Sequence, residues 1–207
     1  LATQLLLERT APGIDPLGPE NLLIFASSVV AGHRVVGLPR FTVAAKSPLT
    51  DGIGETRAEG PFGVALKGSG ADAIVVSGAA ATPTAIVITN GDVDFLDAAE
   101  MWGCPVGPST QALDRRVAGE VNIAVIGPAG ERLVRYAAIA TDYTYAAPRM
   151  GMGAVMGAKK LKGVVLRGDH HPPMYDATTA KRLTSSYAEQ MDRNALTRWQ
   201  HQPPGFA

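Results

Sequence analysis

The chain predicts an α+β fold of many short strands with a few short helices. Three observations carry this. Short apolar or alternating runs, each bounded by Gly, Pro, Asn or Ser, recur along the chain and read as strands. Helical patterns are few and do not alternate strictly with the strands, which argues against a regular parallel βαβ array. Finally, NLLIFASS leads to RFTVAAKS, and NIAVIGPA leads to RYAAIATD. Both read strand, polar turn, strand, a faint duplication that would give two related half-domains.

Taken in order, residues 2–9 look helical until Pro12, Gly13 and Pro16 end the pattern. Residues 22–26 (LLIFA) form a continuous apolar run of the length of a buried strand. A long connection holding His33, Arg34 and Arg40 leads to a second strand over 41–45. Residues 51–63 (DGIGETRAEGPFG) read as a glycine-rich loop, 64–67 as a short helical turn and 73–77 (AIVVS) as another buried strand. Segments 84–89 and 93–96 flank Asn90–Gly91, the favoured two-residue hairpin signal. Residues 108–117 predict a helix with Ser109 as N-cap. Two strands are expected at 121–126 and 133–139, a short helix inside 149–162, and a strand at 164–167. Ala180, Leu183, Tyr187 and Met191 fall at helical spacing behind Asp176 or Thr178 as a cap.

Composition narrows the function classes. The 207 residues, 46% hydrophobic, suffice for a sizeable globular core. Lys plus Arg (19) equals Asp plus Glu (19), so the chain lacks the basic footprint of a nucleic-acid binder. It has neither a polybasic segment for a membrane surface nor an apolar run long enough to cross a bilayer. The single cysteine, Cys104, excludes an internal disulfide and suits a reducing cytoplasm. Because the chain opens on Leu1 inside a helical pattern and closes on Pro203–Pro204–Gly205, it reads as a fragment of a longer protein.

The most suggestive stretch is 149–162, RMGMGAVMGAKKLK. Gly151, Gly153 and Gly157 either let a backbone approach a phosphorylated ligand at a helix start or let the helix pack tightly. An NAD(P)-binding domain would use these three glycines, with Asp169 as the ribose-binding acid. Against it, the segment between glycines and strand is too short for a crossover helix, and the residues before the glycines (TDYTYAAPRM) read as a loop. No P-loop pattern fits. A larger phosphorylated cofactor would also draw on Arg40, Lys46 and the loop around Gly60, since an arginine fork binds phosphate oxygens bidentately. The lysines that follow Gly157 otherwise read as a solvated helix face. His170–His171 are adjacent and unsuited to share a metal. Cys104 reads as a structural thiol, and Asp142 with Arg149 as a structural pair. No Ser/His/Asp order, H-E-x-x-H or C-x-x-C occurs, so the chain shows cofactor-holding features and no reaction centre.

Several segments in order, IDPLGPENLLIFA, RFTVAAKSPLT, FGVALKGSGADAIVVSG, DAAEMWG, IGPAGERLVRYAAI and RMGMGAVMGAKKLK, resemble the N-terminal domain of the tungsten-containing aldehyde ferredoxin oxidoreductases over roughly residues 1–168. The resemblance implies that residues 1–172 are that domain, its start truncated, and that 173–207 begin a helical second domain. It implies an α+β fold, a base of two β-sheets with a pseudo-twofold duplication and a few short helices, carrying a tungsten (or molybdenum) bis-molybdopterin cofactor, with magnesium bridging the two pterin phosphates. A [4Fe–4S] cluster would pass electrons to ferredoxin as an aldehyde becomes a carboxylic acid, in a cytoplasmic enzyme with homodimerisation open. Cluster cysteines and groups near tungsten would come from later domains, so no catalytic residue is expected here and Cys104 is not a cluster ligand. Position by position, Arg40 matches the cofactor-contacting arginine, Gly60 a glycine of the cofactor loop, and Ala146 the alanine whose carbonyl reaches magnesium. Arg57 stands at the usual asparagine and retains a carbonyl for magnesium. Glu59 and Pro148 replace usual glycines, and Tyr145 a usual arginine. These departures raise the alternative of a non-catalytic relative or scaffold subunit that has lost the cofactor.

Overall fold

The computed structural model describes residues 1–33 and 40–201. Arg34 and the closing Pro203–Pro204–Gly205 therefore lie outside the described residues. The elements run α1 (Ala2–Arg9), β1 (Leu23–Ser27), β2 (Arg40–Lys46), β3 (Ile53–Glu59), α2 (Phe62–Gly68), β4 (Ala73–Val76), β5 (Thr84–Thr89) and β6 (Asp92–Asp97). They continue α3 (Val106–Arg116), β7 (Asn122–Val125), α4 (Pro128–Glu131), β8 (Ile139–Thr141), β9 (Tyr145–Ala147), α5 (Met152–Ala158), β10 (Leu161–Arg167), α6 (Ala177–Gln190) and α7 (Ala195–His201). One sheet has four strands in the order β3-β2-β1-β4, all antiparallel. The other has six, β6-β5-β10-β7-β8-β9, in which only β5 and β10 are parallel. The fold is thus α+β, as the strand-rich pattern predicts, with the two sheets that the family resemblance implies. The two repeated stretches become the antiparallel pairs β1–β2 and β7–β8, one in each sheet.

The main core lies between the sheets. Leu23 and Phe25 of β1 and Phe41, Val43 and Ala45 of β2 meet Val164 and Leu166 of β10, with Phe62 and Leu66 of α2 and Met152, Val155 and Met156 of α5 filling the gap. The alternate residues Ile24, Ala26 and Ala44 face the other way and pack under Ala2 and Leu6 of α1. Burial on both faces is why LLIFA is an unbroken apolar run. Leu113 of α3 covers the far face of the six-stranded sheet with Val87, Val125 and Val165. Phe62 anchors the centre, with ring centroids 4.9 Å from Phe41 and 6.0 Å from Phe25.

Several local expectations need correction. Residues 53–59 are strand β3 and not loop. Its inward residues are small because the chain crosses close above: a Cβ on Gly54 would stand 2.8 Å from Met152 Cε and 2.9 Å from Met150 Cβ. The segment 133–139 is not a strand. After α4, Leu133 takes a left-handed conformation (φ 58) that turns the chain, and pairing begins only at Ile139. Helix α3 starts at Val106 behind Pro105, so Ser109 is no N-cap. Its buried hydroxyl donates back to the carbonyls of Pro105 and Cys104, at 2.8 and 3.3 Å.

Of the three lysines after Gly157 only Lys160 is solvated, since Lys159 and Lys162 are both buried. Lys162 belongs to β10, where its ammonium pairs with Glu131 of α4 and donates to Cys104 O at 3.0 Å. Glu131 also accepts from the Gly103 amide at 2.6 Å. This network fixes α4 and the 103–105 turn against the sheet.

Candidate functional site

The cofactor candidates fall at one corner of the four-stranded sheet. Arg40 opens β2 and Glu59 closes β3, and the two are register partners. In β3, Glu55, Arg57 and Glu59 alternate onto the face that carries Arg40. Arg40 pairs with Glu59, and Arg57 Nε donates to Glu55 Oε1 at 2.9 Å. Both pairs are largely exposed. Beside them Ser27, Ser28, Arg40, Thr42, Glu55 and Arg57 line an open cleft of about 380 Å³, closed at one side by the start of α1. Lys46 does not join this group. It stands at the opposite end of β2, six residues and about 20 Å away, where its ammonium donates to Ile14 O at 2.7 Å and pairs with Asp51 at 3.0 Å.

Gly60 follows Glu59 with φ 102, a conformation that favours glycine. Over it lies the Tyr145 ring, so a Cβ on Gly60 would stand 2.6–2.9 Å from ring carbons. Tyr145, Ala146 and Ala147 form β9, with Ala146 exposed and Ala147 in the core. The Arg149 amide donates to Thr56 Oγ1 at 3.2 Å, and Ser47 Oγ donates to Met150 O at 2.9 Å, pinning the stretch after β9 onto β2 and β3. Arg40, Arg57 and Gly60 thus share the β2–β3 corner, and Ala146 reaches it through its neighbour Tyr145. Sequence reading missed the two arginine–glutamate pairs and the Tyr145–Gly60 contact. The signal for the first is the i, i+2, i+4 alternation of Glu55, Arg57 and Glu59, which has meaning only on a strand. The second links residues 85 positions apart in the chain and left no local signal.

Gly151, Gly153 and Gly157 turn out to be packing residues. A Cβ on Gly157 would stand 2.6 Å from the Gly130 carbonyl carbon, one on Gly153 2.8 Å from Ala137 O, and one on Gly151 2.9 Å from the Arg135 carbonyl carbon. Helix α5 has only seven residues, nearly all buried, and presses on α4 and the turn before β8. The NAD(P) arrangement is therefore not built. The residues before these glycines, expected as loop, include strand β9. Asp142 and Arg149 do not pair: the Asp142 carboxylate turns instead to the Ile123 amide at 2.8 Å. Burial raises the Asp142 pKa, with opposing hydrogen bonds from Ile123, Asn122 and Phe62. Lys159 is pushed down to about 8 by burial, with Glu20 opposing; its ammonium donates to Gly78 O at 2.9 Å. Among the described residues no three His, Cys, Asp or Glu side chains gather as a metal site, and no helix is long and apolar enough to cross a membrane.

This is an α+β base that presents an arginine-lined cleft and a glycine corner, the build of a ligand-holding domain. Residues 1–168 match the family model described as aldehyde ferredoxin oxidoreductase, N-terminal domain, and the chain belongs to that family. It is 44% identical over 177 residues to the tungsten-containing aldehyde ferredoxin oxidoreductase of Pyrococcus furiosus, covering 85% of this chain and 29% of that protein. The Pyrococcus abyssi counterpart is 43% identical over 192 residues, covering 92% of this chain and 32% of that protein. Among solved structures, the active-site complex BamBC of benzoyl coenzyme A reductase, in complex with 1,5-dienoyl-CoA, superposes with a TM-score of 0.88 at 30% identity, covering 92% of this chain and 29% of that one. The chain thus spans about three tenths of the length of these relatives.

Proposed function

We propose that this chain is the cofactor-cradling part of an aldehyde-oxidising oxidoreductase that uses a tungsten (or molybdenum) bis-molybdopterin. In this reading residues 1–172 form the cradle and 173–207 begin a helical second domain; α6, with no buried residue, fits a helix that awaits further chain. A [4Fe–4S] cluster, the aldehyde pocket and the docking of ferredoxin then belong to chain beyond these residues, in a cytoplasmic enzyme. The observation that supports it best is the gathering of Arg40, Arg57, Gly60 and the β9 residues at one corner of a domain 44% identical to a tungsten enzyme.

The residues present fit such a group. Arg40 and Arg57 direct guanidinium groups at the cleft, and exposed ion pairs of this kind are worth about 0–1 kcal/mol, so either can exchange its glutamate for a phosphate. Arg40, Arg57, Glu55 and Glu59 sum to no formal charge, so the phosphates need a further cation. Magnesium held by the Arg57 and Ala146 carbonyls supplies one. Tyr145 is 41% exposed, which leaves its ring room to turn away from Gly60. When bound, the metal–pterin group supplies the two-electron oxidation of the aldehyde, while this chain's residues hold and orient it.

Metal and pterin analysis of the natural-length protein, purified anaerobically, tests the reading. Tungsten or molybdenum with two pterins per metal is expected; finding neither metal nor pterin would overturn it. One observation favours a second reading, a relative that kept the fold and lost the cofactor: Glu59 already occupies Arg40, and Tyr145 already covers Gly60. On that reading the parent holds no pterin, and the combined substitutions Glu59→Gly, Tyr145→Arg and Pro148→Gly restore binding. Failure of that variant to bind pterin would remove it.

A further inference from the structure

The turn joining β8 to β9 is built from residues that resist its shape. Asp142 and Tyr143 are successive non-glycine residues in left-handed conformation, with φ 47 and 65. Such conformations are strained in L-residues, tyrosine more than aspartate, and persist only where surrounding contacts hold them. Here the holding contacts come from Asp142. Its Oδ1 accepts from the Ile123 amide at 2.8 Å, and its own amide donates to Ile123 O at 3.0 Å. Its carbonyl accepts from the Thr144 amide at 2.8 Å, closing the turn. Oδ2 is buried and makes no full hydrogen bond, although the Asn122 side chain and the Phe62 amide lie near enough to favour the charged form.

One carboxylate therefore faces three segments: β7, the start of α2 two residues after Gly60, and the turn that delivers Tyr145 and Ala146. A half-buried carboxylate with one oxygen shut away from water and short of a full hydrogen bond is an expensive way to close a hairpin. Asparagine or glycine would close it with less strain or less charge.

We infer that Asp142 is a positioning residue, which locks the β8–β9 turn so that the main chain of Tyr145 and Ala146 meets the Gly60 corner in one fixed arrangement, with the Tyr145 ring itself left free to turn. It touches neither substrate nor cofactor and acts through the segments it joins. The inference rests on the cradle reading for its functional consequence, but the geometric claim stands on the turn alone.

The test uses the natural-length protein and the variants Asp142→Gly and Asp142→Asn. Glycine accepts the left-handed turn without strain and removes the carboxylate. Asparagine keeps an acceptor for Ile123. Asp51→Gly, at another left-handed aspartate whose side chain pairs with Lys46, is the control. In D142G, amide hydrogen exchange at residues 144–147 and at Gly60 and Phe62 should quicken about tenfold or more, the effect of losing a hydrogen bond to a charged acceptor. Tungsten and pterin per chain should fall in parallel while the global unfolding midpoint stays near the parent's. D142N should restore both, and D51G should change neither. Exchange in D142G within twofold of the parent at both segments, or D142N as fast as D142G, would overturn the inference. A parent without metal or pterin would defeat the cradle reading alone, and the exchange rates would still decide what Asp142 does.

Discussion

Replacing Gly157 by alanine separates packing from ligand binding, because the two roles predict opposite signs. Gly157 lies inside α5, where alanine by itself should help by about 0.5–1 kcal/mol through helix propensity. Its new Cβ, however, would stand 2.6 Å from the Gly130 carbonyl carbon and 3.2 Å from the Glu131 nitrogen. Non-bonded carbons settle at about 3.5–4.0 Å, so α4 and α5 must part by roughly 1 Å. Helix α4 is poorly placed to yield, since Glu131 is locked to the fully buried Lys162. The cost should reach the upper end of overpacking, about 3 kcal/mol, leaving a net loss of about 2–2.5 kcal/mol after the propensity gain. For a chain of this size that corresponds to a fall in Tm of about 4–10 °C. Urea titration followed by circular dichroism measures it directly. If G157A proves as stable as the parent or more so, the packing account fails and a ligand role for the glycines returns.

Two further predictions concern the buried lysines. Lys162→Met leaves the Glu131 carboxylate buried without its partner and should cost about 3–5 kcal/mol in a denaturant titration, part of which returns when Glu131 is also made apolar. A loss under about 1 kcal/mol would refute the network. Lys159 has a folded-state pKa near 8 against 10.5 unfolded, so between these values the unfolded chain binds its proton more tightly. Its contribution to stability should therefore improve as pH rises from about 8 to 10.5, whereas at neutral pH the desolvation cost is fully present. Subtracting the pH profile of Lys159→Met isolates this rise, and identical slopes in parent and variant would sink the idea.

What the sequence determined by itself was local. The Asn90–Gly91 hairpin is legible because its turn depends on two residues, and both do take left-handed conformations (φ 49 and 94). LLIFA is legible as a buried strand, and α6 with Asp176 capping the Thr179 amide is legible from spacing and cap chemistry. The ordered motifs likewise marked the family. Tertiary structure alone decided what each special residue is for. Gly157 reads the same whether it faces a phosphate or the Gly130 backbone, and the partner is 27 residues away. Lys162 reads as a surface charge until Glu131, 31 residues earlier, is brought beneath it. Strand β3 hid behind glycines and charges that look like loop, because its small face answers to Met150 and Met152 and its charged face to Arg40. Periodicity and turn chemistry belong to neighbouring residues, while burial and pairing belong to surfaces that distant segments create only when the chain has folded.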